Sequence, residues 1–452
     1  MVSARKRIWG WYFFDWASQP YNTLLITFIF APYMKELLGS GSAAQTVWGY
    51  GIGLTGLAIA VMAPFLGAVA DKSGGRIGFI WIFSAMYVAG AWGLWYAVPG
   101  DFSLTFIMLS FAIGMIGMEF ATTFTNAMLP DLTSRDQMGR VSGSGWAFGY
   151  LGGMLALIAM LALFAENASG RTLIGISPIL GLDPDQREGT RAVGPLVALW
   201  YAVFMIPFFL WVRERRRPDA VPVRSAMRGA WPELRQTLAR LPSNRSLFSF
   251  LLSSMCYRDA LNGIYTFGGI YAAGVLGWSI IQIGLFGILG TITGATFAWL
   301  GGKADDRFGP RAVIIFCVVA LTLVVVGVVF ISRESVFGIA VGANSALPDI
   351  AFFVMGGLIG AGGGAVQSAS RTMMVRQSEH DKITESFGLY ALTGKATAFI
   401  APLSIGWMTQ VSDNQAIGIT PIIALFLLGL VLLAWVNPDG RPPKEKTTDV
   451  FA

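Results

Sequence analysis

Charge is scarce in this sequence. Of 452 residues only 13% are Asp, Glu, Lys or Arg, 54% are hydrophobic by type, and the mean hydropathy is +0.61. A soluble chain of ordinary composition carries about a quarter charged residues, so a soluble enzyme and a disordered scaffold are excluded. Histidine is almost missing: the single His380 rules out a multi-histidine metal centre, and no metal or other cofactor is expected. Both cysteines, Cys256 and Cys317, sit inside apolar runs, so the disulfide framework of a small secreted protein is excluded. No nucleophile–base arrangement can be drawn, so an enzyme is not expected. No ATP-binding motif is present either; Gly51, Gly53 and Gly56 spell GxGxxG, but inside an apolar run rather than after a strand. Glycine, by contrast, is abundant at 55 residues, which argues against a long coiled coil and suits close-packed membrane helices. The chain reads as an integral membrane protein.

A membrane span needs about 20 mostly apolar residues. Twelve such runs occur, at 9–34, 47–70, 78–98, 104–128, 141–164, 195–212, 246–274, 278–301, 312–332, 348–374, 384–409 and 419–436. The first is too long for a signal-peptide core and contains Asp15, so it is expected to remain as the first span. With twelve crossings and a cytoplasmic amino terminus, 24 of the 32 Lys and Arg residues fall on the cytoplasmic side, against five opposite and three within spans. This asymmetry predicts that both termini are cytoplasmic, in a plasma or bacterial inner membrane. It also accounts for the net charge of +6, so nucleic acid is not implied.

The expected division is residues 1–213, a basic linker 214–245, residues 246–436 and a tail 437–452. Within the linker Trp231, Leu234, Leu238 and Leu241 recur at helical spacing beside Arg228, Arg235 and Arg240. That pattern fits an amphipathic helix on the lipids of the inner leaflet or, equally, a solvated linker helix. One signature stands on either side of the linker: GAVADKSGGR from Gly67 to Arg76, and GKADDRFGPR from Gly302 to Arg311. In both, an Asp (Asp71, Asp306) follows the first Gly by four residues, a basic residue (Lys72, Arg307) comes next, and an Arg stands five after the Asp. Asp15 and Tyr21 likewise match Asp259 and Tyr265 at one offset of 244 residues. Two copies of one six-span unit are indicated.

This layout resembles the major facilitator superfamily, an all-α membrane fold of twelve helices in two pseudo-symmetric six-helix bundles. Further stretches resemble one branch of it, the vacuole effluxer (autophagy-related amino-acid exporter) family and its bacterial relatives. They are WGWYFFDWASQPYNTLLITFIFAPY in the first span, NAMLPDL (126–132), VSGSGWAFGYLGG (141–153), QSASRT (367–372) and FGLYALTGK (387–395). The resemblance implies gradient-driven movement of small solutes, with amino acids transported by the fungal members, and a central cavity lined by spans one, four, seven and ten.

Ionisable groups inside spans cost about 2.5–3.5 kcal/mol each on insertion scales and so point to function. Asp15, Glu119, Arg258, Asp259 and Lys395 lie deep in spans one, four, seven and eleven, with Arg371 nearer the cytoplasmic end of span ten. Lys395 and Arg258 are expected to hold an anionic group such as a carboxylate. Asp15, Asp259 and Glu119 would neutralise them when the site is empty, and Glu119, then Asp259, would carry the coupling proton. Gln19, Asn22, Asn126 and Asn262 are the first polar contacts expected, with Tyr21, Tyr265, Gln367 and Tyr390 at the margins and Trp16, Trp146 and Tyr150 as aromatic walls. Pro20 is expected to kink the first span. Gly67, Asp71, Arg76, Gly302, Asp306, Arg307 and Arg311, with Arg371, are the expected gating set. Glycines at fourfold spacing (Gly145, Gly149, Gly153; Gly356, Gly360, Gly364; Gly290, Gly294) read as packing surfaces between rocking halves. The expectation is a monomeric secondary transporter of a small polar solute, an amino acid or related carboxylate, coupled to protons and alternating its access. The alternative is a lipid flippase or membrane sensor on the same fold.

Overall fold

The computed structural model describes residues 3–72, 75–126, 128–133, 135–214, 245–342, 344–377, 390, 393–394 and 396–438. The first half contains α1 (Ala4–Pro20), α2 (Phe30–Leu38), α3 (Gly41–Lys72), α4 (Arg76–Gly93), α5 (Leu104–Asn126), α6 (Arg135–Ala159), α7 (Val193–Phe204) and α8 (Ile206–Trp211). The second contains α9 (Arg245–Val275), α10 (Ile280–Phe308), α11 (Pro310–Val329), α12 (Leu347–Gln377), α13 (Ile400–Ser412) and α14 (Pro421–Leu433). A hairpin, β1 (Ser335–Val336) with β2 (Ile339–Ala340), is the one sheet among the described residues.

By length and composition, nine helices among the described residues could cross a membrane. The twelve apolar runs exceed this count for three physical reasons. The first run is broken into α1 and α2, α9 carries Arg258 and Asp259 among several serines, and part of run 384–409 lies outside the described residues.

Local chemistry sets the helix ends. Ser279 and Gln282 form a reciprocal capping box at the start of α10, and proline opens α11 and α14, where its missing N–H costs nothing. In the first span α geometry ends at Pro20 and Tyr21–Phe28 continues as π-helix. Ile29 N–H closes the last π turn on the Leu24 carbonyl at 2.9 Å, and Gly39 ends α2 in the left-handed region. The expected kink at Pro20 is therefore a change of helix type extending over two further turns.

Hydrocarbon offers polar groups no partner, so buried ones must find their own. Fully buried Tyr21 donates to the Phe111 carbonyl at 2.7 Å, Tyr33 to that of Ala97 at 2.8 Å and Tyr271 to that of Val328 at 3.0 Å. Tyr257 and Ser370 share a bond of 2.8 Å, as do Tyr201 and Ser84. Outside the spans, Arg187 bridges Glu36 at 2.8 Å and buried Glu166 at 3.0 Å. Burial pushes the Glu166 carboxyl up, with Arg187 and Thr190 opposing.

The glycine rows correct one expectation. Gly145 and Gly149 seat α6 on Asp15 of α1, and Gly153 seats it on Gln19. Gly360 and Gly364 of α12 meet the carbonyl oxygens of Gly290 and Gly294 of α10. Both contacts lie inside a half, because α1 and α6 both precede residue 214 and α10 and α12 both follow residue 245. Contacts between the halves fall elsewhere. Gly49 of α3 packs on Gly406 of α13, Gly269 of α9 on Thr27 and Pro32, and Gly284 and Gly287 of α10 on Leu161 and Phe28.

Candidate functional site

The two halves are joined by a hydrogen-bonded seam whose buried centre is uncharged. The Gln45 amide donates to Thr409 Oγ1 at 2.8 Å and to the Gln415 carbonyl at 3.2 Å, while Gln415 donates back to Gln45 Oε1 at 3.1 Å. Around this buried pair Ser42 donates to Asp413 at 2.7 Å and Tyr50 to Gln410 at 2.6 Å. All of these residues lie at the end of the bundle opposite Arg76 and Arg311. Sequence reasoning missed the seam, since Gln45 and Gln415 stand just outside the apolar runs.

Deeper in, two pairs of equivalent residues have similar settings in the two halves. Tyr21 lies against Gly114 of α5, and Tyr265, at the equivalent place, lies against Gly363 of α12. Asp15 on α1 rests on α6, and Asp259 on α9 rests on α13, where the Ala401 N–H donates to Oδ2 at 2.8 Å. Asp259 is 2% exposed, and its Oδ1 is buried without a hydrogen-bond partner; so is Oδ2 of Asp15. Two carboxylates, one per repeat, thus hold one unsatisfied oxygen each in the interior.

Arg258 does not meet these acids. Its Nη1 donates to the Tyr390 carbonyl at 3.1 Å and its guanidinium lies 4.2 Å from the centre of the Tyr390 ring. Neighbouring residues of α9 therefore reach two different points of the eleventh apolar run, and among the described residues no ion pair joins Arg258 to Asp15 or Asp259. Lys395 lies outside the described residues. Glu119 is half-buried on α5; Gln19 and Asn22 are half-buried; Asn126 and Asn262 are exposed. Tyr21 is core rather than site. Trp16 is not a cavity wall: it stacks on Trp200 and packs on Phe148 and Phe204 within the first half. Trp146 and Tyr150 are 46% and 44% exposed, with ring centroids 5.5 Å apart.

The repeated loop signature is built differently in the two halves. Arg76, 1% exposed, pairs with Asp131 at the exit of α5 and with Glu214 at 3.0 Å. Among the described residues Arg311 donates only to the Ala434 carbonyl, at 3.4 Å, and Arg307 is exposed beside Phe308. Gly67 and Asp71 stand on α3 and Asp306 on α10, their side chains outside the described set. Gly302 was expected to permit close helix approach; the nearest atom to a side chain placed there is Ser368 Oγ at 4.0 Å. Gly301, facing Ala365 at 3.0 Å, makes that approach instead. Asp131 was within the quoted NAMLPDL stretch, but nothing in the sequence pointed to Glu214 as its companion.

Comparison with known proteins completes the picture. Residues 36–442 match the family described as vacuole effluxer Atg22 like. The chain is 26% identical over 446 residues to the uncharacterized MFS-type transporter YxiO of Bacillus subtilis (strain 168), covering 98% of this chain and 96% of that one. It is 23% identical over 325 residues to autophagy-related protein 22 of Coccidioides immitis (strain RS), covering 68% of this chain and 50% of that one; it thus spans about half the length of this fungal relative. Among solved structures, a D-xylose-proton symporter aligns with TM-score 0.68 at 14% identity, covering 97% and 99% of the two chains. A bacterial homologue of the iron transporter ferroportin in its inward-facing state aligns with TM-score 0.65 at 13% identity, covering 96% and 98%. Two halves of packed helices, the paired signature loops and these matches agree: the chain belongs to the vacuole effluxer Atg22-like family, and it is a multi-pass membrane transporter of the major facilitator fold.

Proposed function

We propose that this transporter moves a small solute bearing a carboxylate, an amino acid being the class its fungal relatives' family suggests, by proton-coupled alternating access. The single observation that supports coupling is the carboxyl group of Asp259, enclosed between α9 and α13 with one oxygen satisfied and the other without a partner. An anion in that setting is costly, and a proton removes the cost. Asp259 would therefore hold a proton while enclosed and release it when the halves part and water enters. Asp15 likewise has a buried oxygen without a partner, and Glu119 on α5 is the second candidate carrier.

The moving units are residues 1–213 and 246–436, joined by the linker 214–245, with both termini on the cytoplasmic side as the basic residues argue. The seam around Gln45 and Gln415 would then be the extracellular gate. Because its buried centre is uncharged and Asp413 stands exposed at its rim, it can open without stranding an ion in hydrocarbon.

The test is transport in proteoliposomes under an imposed pH gradient. Asp259→Asn is expected to abolish accumulation of radiolabelled amino acid above equilibrium while exchange without a gradient persists. Unchanged accumulation in Asp259→Asn and in Glu119→Gln would refute the coupling assignment.

A further inference from the structure

We propose that Arg371, with Gln367 and Tyr265 of the same half and Tyr150 of the other, forms the subsite that receives the solute's carboxylate. The inference deepens the transport reading above and rests on it. It starts from the fate of the arginines. Arg258, the expected anion holder, is committed to Tyr390, and Arg76, Arg187 and Arg333 are committed to carboxylates. Arg371 is exposed and makes no hydrogen bond or ion pair among the described residues.

Its position fits the task. Gln367 precedes it by four residues and so shares its face of α12. The Tyr265 hydroxyl of α9 lies against Gly363 on this same face, one turn from Gln367. Gly363 leaves the space that Tyr265 fills; a methyl group there would overlap the hydroxyl. Tyr150 of α6, in the opposite half, lies within electrostatic range of both Arg371 and Tyr265. The cluster therefore faces the gap between the halves rather than lipid. Trp146, one turn from Tyr150 and also exposed, extends an aromatic surface beside it.

A planar guanidinium matches a carboxylate with two parallel hydrogen bonds. Phenol and amide donors complete its shell, and the indole of Trp146 offers a face to an apolar or aromatic body. The ligand class is a small carboxylate with a hydrophobic side chain. Because the donors come from both halves, a bound carboxylate ties Tyr150 to Arg371 and draws that end of the gap shut. Arg371 thus gates through the solute it holds.

The test uses the full-length protein in lipid nanodiscs with two probes, L-tyrosine and tyramine, which differ by the carboxylate. Wild type is expected to bind L-tyrosine about tenfold or more tighter than tyramine, the scale of hydrogen bonds to a charged group. Arg371→Gln should bring the two affinities together, Arg371→Lys should retain part of the preference, and both should melt like wild type because the residue is exposed. Asp259→Asn should keep the preference while losing proton-driven accumulation, which separates this subsite from the coupling assignment. Discrimination that survives in Arg371→Gln, or a wild type that binds tyramine as tightly as L-tyrosine or binds neither, would overturn the proposal.

Discussion

Alanine at Gly364 is expected to cost the protein about 3 kcal/mol or more, at the upper end of overpacking effects because backbone cannot rotate away. The added methyl group would overlap the carbonyl oxygen of Gly294, with Gly294 Cα only 3.0 Å away. Four residues earlier Gly360 meets Gly290 in the same manner, so α10 and α12 touch backbone to backbone along a whole turn. Small residues are what permit this in a membrane, where packing rather than the hydrophobic effect holds helices together. A stability of about 5–15 kcal/mol is usual for a folded protein, so the loss is a large share. Thermal unfolding in detergent measures it. Gly302→Ala is the control, since the nearest atom there is 4.0 Å away, and it is expected to melt like wild type.

Arg76→Ala is expected to destabilise the first half by about 3–5 kcal/mol, the range for breaking a buried ion pair by removing one partner. The guanidinium is 1% exposed, and Asp131 and Glu214, 23% and 11% exposed, would lose it together. Among the described residues Arg311→Ala removes a single bond, of 3.4 Å to a carbonyl, and its effect should be about 1 kcal/mol or less. The comparison is informative because both arginines occupy the same place in one repeated signature. Equal losses in the two unfolding curves would contradict this account of the asymmetry.

The fold was legible wherever the membrane simplified the physics. Apolar runs and the repeated signature led to the major facilitator fold, since hydrocarbon tolerates few alternatives to helices. Asp15 and Asp259 were also legible, as charged residues in apolar runs, and their shared offset anticipated their equivalent surroundings on α6 and α13. Partners were not legible. Arg258 and Asp259 are adjacent in sequence but leave α9 in different directions, and periodicity alone could not say that one reaches Tyr390 and the other Ala401. Nor could it say that the glycine rows bind helices within a half. Tyr21 and Tyr265 looked alike as site residues, yet one is sealed in the core and the other is half-buried. Polar residues at run ends, such as Gln45 and Gln415, carry no cost that flags them, although together they close the seam.

The central claim is that the two halves close one end of the gap at a time. Pairs of spin labels at residues 50 and 410, within the seam, and at residues 144 and 375, on the exposed flanks of α6 and α12 at the other end, report it directly in nanodiscs by pulsed electron resonance. The account predicts two distance populations for each pair, shifting with pH in opposite directions, so that the seam pair is short when the other is long. A single fixed distance at both ends, or two ends that open together, would contradict it.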